Sequence, residues 1–255
     1  MTLNEIYAAI IALFAALTAG LVGSFALMKR MTLAGDAISH IALPGLGLGI
    51  LFKVNPILGG AVTLILGTIL ISHLEKKTGI ATETMIGVVF SASLALGALI
   101  TPKEDLIEVI FGGFGPLSTS SFLLGLLVAL FIIWFIAKFK DQLIINLFSS
   151  DLGTSTGINA DRLNLYYLLV FSLTIILGLQ FLGASLAGSL IIIPAAAARR
   201  FTGKFSPFLL TSALVSFTAV VLGLFVSRAY GLSLGPTVIS AASLIFALSL
   251  FKRNT

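Results

Sequence analysis

The sequence predicts an all-α protein, a polytopic bundle of about nine helices that cross a membrane. Of its 255 residues, 58% are hydrophobic and only 10% are charged, and the mean hydropathy is +1.14. Soluble domains carry about 25% charged residues, and a globule of this size could not bury so much apolar surface. The apolar residues also form runs close to the roughly 20 residues that one spanning helix needs.

The runs between charged residues define the predicted spans, and eight or ten spans remain possible because one run, 184–198, is short for a full crossing. Most prolines fall at or between span ends, where a missing N–H costs little. Residues 1–255 form a single transmembrane domain, with a short outer helix expected over 106–111 and the longest inner loop at 139–163. In chain order the spans are 5–28, 34–52, 57–74, 84–101, 119–138, 164–182, 184–198, 208–228 and 234–251.

The basic residues predict the orientation. The first apolar run is too long for a signal peptide and no basic segment precedes it, so we expect it to remain as a span. With an external N-terminus and nine spans, the C-terminus is cytoplasmic and twelve of the fifteen basic residues lie inside, as Lys and Arg prefer. The inside group is Lys29, Arg30, Lys76, Lys77, Lys138, Lys140, Arg162, Arg199, Arg200, Lys204, Lys252 and Arg253, and the outside group is Lys53, Lys103 and Arg228.

Missing residue types and motifs exclude several functions. There is no cysteine, which excludes disulfides, iron–sulfur clusters, thiolate zinc sites and cysteine nucleophiles. The net charge of +5 would suit nucleic acid, but the basic residues form small groups rather than one stripe. No P-loop, HExxH or GxSxG motif is present. Energised work would therefore need an ion gradient or another subunit.

One ionisable pair is predicted at membrane depth. Asp36 and His40 are four residues apart in the second span, which places both side chains on one helix face. A carboxylate beside an imidazole suits first-row divalent metals, and ionisable groups inside a membrane usually serve a function. The alternative is structural: Asp36 would favour the helix dipole, and His40 would hydrogen-bond a neighbouring helix. His73, beside Glu75 and Lys76, fits an interfacial residue better than a ligand.

A helix break is expected beside this pair. Pro44 lies four residues after His40, so its missing N–H would free the His40 carbonyl. Gly45 and Gly47 follow and permit close packing. Irregular backbone at this depth is tolerated where it is buried in protein or lines a cavity.

A second unusual segment, 194–203, joins a proline to small and basic residues. It predicts a short helix beneath the membrane whose alanine face lets another backbone approach closely, or else a plain helix end with positive-inside arginines. Its members are Pro194, Ala195, Ala196, Ala197, Ala198, Arg199, Arg200, Phe201 and Gly203.

These stretches resemble the metal-importing ABC transporter permeases, the zinc, manganese and iron uptake family. Residues 28–49 (MKRMTLAGDAISHIALPGLGLG) and 181–199 (FLGASLAGSLIIIPAAAAR) are similar to two specific motifs of that family. The likeness covers nearly the whole chain, although residues 113–119 (GFGPLST) depart from the family pattern. Further similar stretches are 105–113 (DLIEVIFGG), 152–164 and Gly235-Pro236.

The resemblance implies a permease with vitamin-B12-importer-like architecture in a prokaryotic cytoplasmic membrane, without enzymatic activity of its own. A cytoplasmic ABC ATPase subunit would hydrolyse ATP, and an extracytoplasmic binding protein or lipoprotein would deliver zinc, manganese or iron as cargo rather than as a bound cofactor. Two copies of the chain would enclose the pathway, with Asp36 and His40 handling the metal and 194–203 docking on the ATPase.

Other functions remain open at this point. A permease for iron–siderophore or cobalamin shares the broad organisation, but such large substrates need few ligating side chains. A gradient-driven secondary transporter or channel would need no ATPase, and a structural scaffold would need neither Asp36 nor His40. The pair suits zinc, manganese and iron alike, so the sequence does not choose among them.

Overall fold

The computed structural model describes residues 3–31, 33–101, 118–148 and 159–251. Across these ranges it contains nine helices and no strand, and seven segments are long and apolar enough to cross a membrane. The predicted all-α polytopic bundle is confirmed, whereas the predicted outer helix at 106–111 lies outside the described residues. The helices are α1 (Leu3–Met28), α2 (Ala34–His40), α3 (Leu43–Leu51), α4 (Pro56–Thr78), α5 (Thr82–Ile100), α6 (Thr119–Phe148), α7 (Ala160–Phe201), α8 (Phe205–Tyr230) and α9 (Leu234–Leu250).

Several helix ends follow local sequence signals. At the start of α4, the Asn55 side chain accepts a hydrogen bond from the backbone N–H of Ile57 (3.0 Å), and Pro56 occupies the first helical position. The ends of α4 and α8 are the left-handed glycines Gly79 (φ 68°) and Gly231 (φ 65°). Glycine adopts this conformation without the steric cost that a side chain would bring.

Helix α7 doubles back on itself. A straight helix separates residues nine positions apart by about 13 Å, yet a Cβ at Gly178 would lie only 3.3 Å from the Cβ of Ala187. After this reversal the second arm returns along α1, where Gly23 packs directly on the Ile191 carbonyl. The 42-residue segment is therefore two antiparallel arms. The sequence predicted this division as separate sixth and seventh spans.

Both ends of α7 lie where α1 finishes. At its start, Asn164 accepts a hydrogen bond from Lys29 Nζ (2.7 Å), and near its end Ala198 packs in a cluster with the last residues of α1. The opposite end of the molecule holds the ion pair of Arg228 with Glu5 (3.8 Å). These contacts place Lys29 and Arg228 at opposite ends of the molecule, and the orientation of the chain in the membrane stays a prediction.

Close backbone contacts hold α2 and α3 between the other helices. Gly35 of α2 lies against Gly188 of the returning α7 arm, and Gly45 of α3 lies against Gly59 of α4. Gly97 of α5 meets α3 at Leu43 and Pro44. Small residues permit such approach in membrane proteins, where dispersion contacts replace the hydrophobic effect as the main attraction between helices. The sequence-predicted pair is therefore carried on a segment packed on three sides.

Candidate metal site

The predicted second span is two helices separated by a short turn. α2 ends at His40 and α3 begins at Leu43. Between them, the N–H of Ile41 bonds the Ile38 carbonyl (3.0 Å) and the N–H of Ala42 bonds the Ser39 carbonyl (3.3 Å). These are the i to i−3 bonds of a 3₁₀ turn. The interruption comes just before the proline, since Pro44 lies in the first turn of α3, where its missing N–H costs little.

Helix α4 holds this interruption in place. Thr63 Oγ1 lies 3.1 Å from the Gly60 carbonyl of its own helix and 3.4 Å from the Ala42 carbonyl at the turn. A Cβ at Gly45 would overlap the backbone of Gly59, so α3 and α4 touch along their backbones. Gly47, two residues further along the chain, faces Thr101 at the end of α5. The turn therefore has a fixed position between two helices.

The candidate site itself is the Asp36–His40 pair on α2. His40 Nδ1 lies 2.8 Å from the Asp36 backbone carbonyl and 3.8 Å from the Asp36 carboxylate oxygen Oδ1. A carbonyl oxygen can only accept, so we assign the ring proton to Nδ1, which leaves the Nε2 lone pair for a metal. The structural alternative predicted a hydrogen bond from His40 to a neighbouring helix, whereas the bond in the structure stays within α2.

The Asp36 side chain is 55% exposed and the His40 side chain is 16% exposed. Leu33, Asp36 and His40 follow the i, i+3, i+7 spacing of one helix face, and the buried residue Ile38 lies on the other face. The Asp36 carboxylate thus opens onto a surface that the described helices leave exposed. Within the described ranges, no group of three or more His, Cys, Asp and Glu residues is arranged to hold a metal ion, so those ranges offer a pair rather than a closed cage.

Phe90 of α5 also contacts the site. Its ring lies edge-to-face against the His40 imidazole, with centroids 5.6 Å apart and planes at 80°. Sequence reasoning missed this residue because one phenylalanine among 20 carries no local signal for a partner fifty positions earlier.

The alanine segment lies elsewhere and differs from its prediction. Pro194 is inside the returning arm of α7, and the chain stays helical to Phe201, so there is no separate short helix. Ala195, Ala197 and Ala198 are fully buried, and Phe208 packs against this segment. The prediction of a free alanine face is therefore wrong, because α1 and α8 already cover it. Ala196 and Arg200 are partly buried, and the exposed members are Arg199, Phe201 and Gly203.

A polar cluster joins α1, α4 and α7 at the end where the predicted inside residues gather. Lys29 Nζ donates to Asn164 Oδ1 (2.7 Å), and Asn164 Nδ2 donates to Glu75 Oε2 (3.3 Å). Burial lowers the pKa of Lys29 from 10.5 to about 8, an effect that the negative charge of Glu75 opposes. A cavity of about 540 Å³ adjoins all three. No sequence signal links residues so far apart.

His73 is exposed on α4, close to Glu75 in sequence.

Comparisons with known proteins give a consistent result. A family model described as the ABC 3 transport family matches residues 3–253. The chain is 28% identical over 237 residues to the manganese transport system membrane protein MntC of Listeria monocytogenes, which covers 91% of this chain and 85% of that protein. It is 30% identical over 255 residues to the high-affinity zinc uptake system membrane protein ZnuB of Haemophilus influenzae (95% and 98% covered). A solved structure, PsaBC from Streptococcus pneumoniae in complex with Fab, matches with a TM-score of 0.84 and 27% identity (98% and 92% covered).

Proposed function

The chain belongs to the ABC 3 transport family, and from this premise we propose that it is the membrane permease subunit of an ATP-driven importer of divalent transition-metal ions. The observation that carries the proposal is the Asp36–His40 pair on an exposed face beside an interrupted span. The names of relatives, which specify manganese and zinc transport, support the same class of cargo.

A second copy of the chain would complete the site. An ionised side chain in lipid costs free energy, about 2.5–3.5 kcal/mol at the bilayer centre on insertion scales, so the half-exposed Asp36 carboxylate, in the first turn of α2, favours a protein or aqueous neighbour over lipid. A two-fold axis beside α2, the commonest symmetry of homo-oligomers, would supply two carboxylates and two imidazoles. Apart from the nearby backbone of its own helix, Gly87 of α5 has no described atom within 4 Å of its Cβ position, and such small residues let another helix approach closely.

The donor types fit a transient cargo. A carboxylate oxygen and an imidazole nitrogen together accept zinc, manganese or iron, and metal availability decides among them. A transport site must replace water ligands yet release the ion, and ligands divided between two copies allow this when the copies move apart. Bulky iron–siderophore or cobalamin cargo would gain little from such a pair. Metal selectivity then depends on metal availability and on the delivering protein.

ATP hydrolysis belongs to a separate cytoplasmic subunit in this proposal, because the sequence carries no P-loop. The exposed corner of the predicted coupling segment 194–203, formed by Arg199, Phe201 and Gly203, docks on it together with the adjacent Lys204. Arg199 lies over the Phe208 ring, 5.8 Å from its centroid, so the corner is tied to α8. An extracytoplasmic metal-binding protein delivers the ion at the opposite end, and the N-terminus is external in a prokaryotic cytoplasmic membrane.

The direct test is metal uptake by single variants. We expect Asp36→Ala and His40→Ala to abolish uptake of radioactive zinc and manganese in vesicles that contain the co-purified ATPase, with normal abundance in the membrane. His73→Ala is the matched control, since His73 is exposed on α4 and belongs to neither helix of the interrupted span. Wild-type uptake by both single variants would refute the pathway. Transport by the purified chain alone, without ATP, would instead favour a gradient-driven transporter.

A further inference from the structure

Building on the proposed function, we propose that Phe90 is a positioning residue, which holds the His40 imidazole so that Nε2 stays available to the metal. The two rings come from different helices, α5 and α2, and meet edge-to-face at 5.6 Å between centroids. Edge-to-face contact places the positive edge of one ring against the negative face of the other. The pair therefore has a preferred angle as well as a preferred distance.

Two contacts define the orientation of the imidazole. The first is the Nδ1 bond to the Asp36 carbonyl (2.8 Å), which fixes one edge of the ring. That bond restrains χ2, whose minima are otherwise broad in histidine, but it is a single contact at one corner of the ring. Phe90 supplies the second contact, against the ring itself. Ser39 adds little, since its Oγ is 3.5 Å from Nδ1 and donates to the Asp36 carbonyl instead (2.7 Å).

Helix α5 is itself well anchored, so Phe90 can act as a fixed surface. Ile86 and Val89, which flank Phe90 on the inward side of α5, are 1% and 7% exposed. Further along α5, a Cβ at Gly97 would lie 2.7 Å from the Leu43 Cβ, so the helix also packs against α3. The backbone that carries Phe90 is consequently held by contacts that do not involve His40.

Removal of the aromatic ring would weaken metal binding rather than slow the transport cycle. A free imidazole must be ordered when the ion binds, and ordering one side chain corresponds to an affinity loss of about 3- to 10-fold. The maximum rate at saturating metal depends on the ATPase cycle and should stay at the wild-type value. A loss of metal affinity without a loss of maximum rate therefore distinguishes a positioning role from a general loss of folded protein.

The experiment measures Zn²⁺ and Mn²⁺ binding to the purified full chain in lipid nanodiscs, together with uptake kinetics in vesicles containing the ATPase. Phe90→Leu and Phe90→Met remove the ring, and Phe90→Tyr keeps it. Phe131→Leu is the matched control, because Phe131 is 45% exposed on α6. We expect the loss of affinity in both non-aromatic variants, wild-type affinity in Phe90→Tyr and Phe131→Leu, and an unchanged maximum rate in all four.

Wild-type affinity in Phe90→Leu and Phe90→Met would overturn the inference, as would an equal loss in Phe90→Tyr or a loss confined to the maximum rate. His40→Ala separates this failure from that of the proposed function. If His40→Ala abolishes binding while the Phe90 variants bind normally, only the positioning role is refuted. If His40→Ala itself binds and transports normally, the metal pathway is refuted.

Discussion

Replacement of Lys29 by methionine should change how the stability of the protein depends on pH. Lys29 follows α1, donates to Asn164 (2.7 Å) and lies over the Tyr167 ring with its Nζ 4.7 Å from the centroid. Its pKa is about 8 rather than 10.5, chiefly because burial disfavours the charged ammonium. The folded protein therefore releases this proton at a lower pH than the unfolded chain does.

The sign and size of the effect follow from that difference. Below pH 8 both states hold the proton, and the fold carries the full cost of burying the charge. Between pH 8 and 10.5 the unfolded chain binds more protons than the folded protein, so stability rises with pH. At 1.36 kcal/mol per pKa unit, this rise amounts to about 2 kcal/mol by pH 9.5, or about 4–8 °C in the unfolding midpoint of a domain of this size.

Thermal unfolding at a fixed scan rate, from pH 7 to 9.5, measures this contribution. The quantity compared is the midpoint of Lys29→Met minus that of the wild type, because the other titrating groups then cancel. We expect this difference to fall by several degrees across the range, since only the wild type gains stability from losing the Lys29 proton. Lys77→Met, at an exposed lysine of α4, is the control and should show a constant difference. A constant difference for Lys29→Met would refute the buried-charge reasoning.

Three further predictions test other parts of the molecule. Gly188→Val should destabilise the protein by about 1–3 kcal/mol through overpacking against α2. Gly203→Val, with open space around it, should not destabilise the protein. The amount of folded protein after detergent extraction distinguishes the two variants. The chain has no cysteine, so an introduced cysteine can pair only with its copy in a second chain. Gly87→Cys should form a disulfide-linked dimer in membranes, and Leu99→Cys, on a different face of α5, should not. Monomers from both variants would contradict the proposed two-fold axis. Tyr167→Phe should lower the free energy of unfolding by about 1 kcal/mol, because it removes a buried hydrogen bond to an α1 carbonyl (3.1 Å). An unchanged unfolding midpoint would contradict this.

Hydropathy and charge predicted the spans well because each depends on a continuous stretch of sequence. The interruption after His40 was predicted for the same reason, since Pro44 acts on its own helix. The position of the turn, at Ile41 and Ala42, was not predicted, because it also depends on α4, where Thr63 lies close to the turn.

The errors and omissions concern contacts between distant segments. The alanine run was predicted to present a free surface, but Phe208 from the next helix packs against it. Small residues are compatible with either outcome, so only the position of α8 decides between them. The bond from Lys29 to Asn164 spans 135 residues, and neither residue type indicates its partner. Contacts of this kind require the fold.

The buried alanines change how movement at the ATPase would reach the metal site. Had they formed a free surface, the coupling segment could have shifted alone. Because they are packed into the chain, displacement of Arg199 must move the returning arm of α7 with it. Eleven residues before Arg199, about 16 Å along the helix, Gly188 lies against Gly35, the immediate neighbour of Asp36. A side chain at Gly188 would overlap the Gly35 backbone, and one at Gly35 would lie 3.0 Å from the Gly188 carbonyl oxygen, so the two segments are in direct backbone contact. Under the proposed function, tilting of this arm therefore moves α2 and separates the ligands of the two copies.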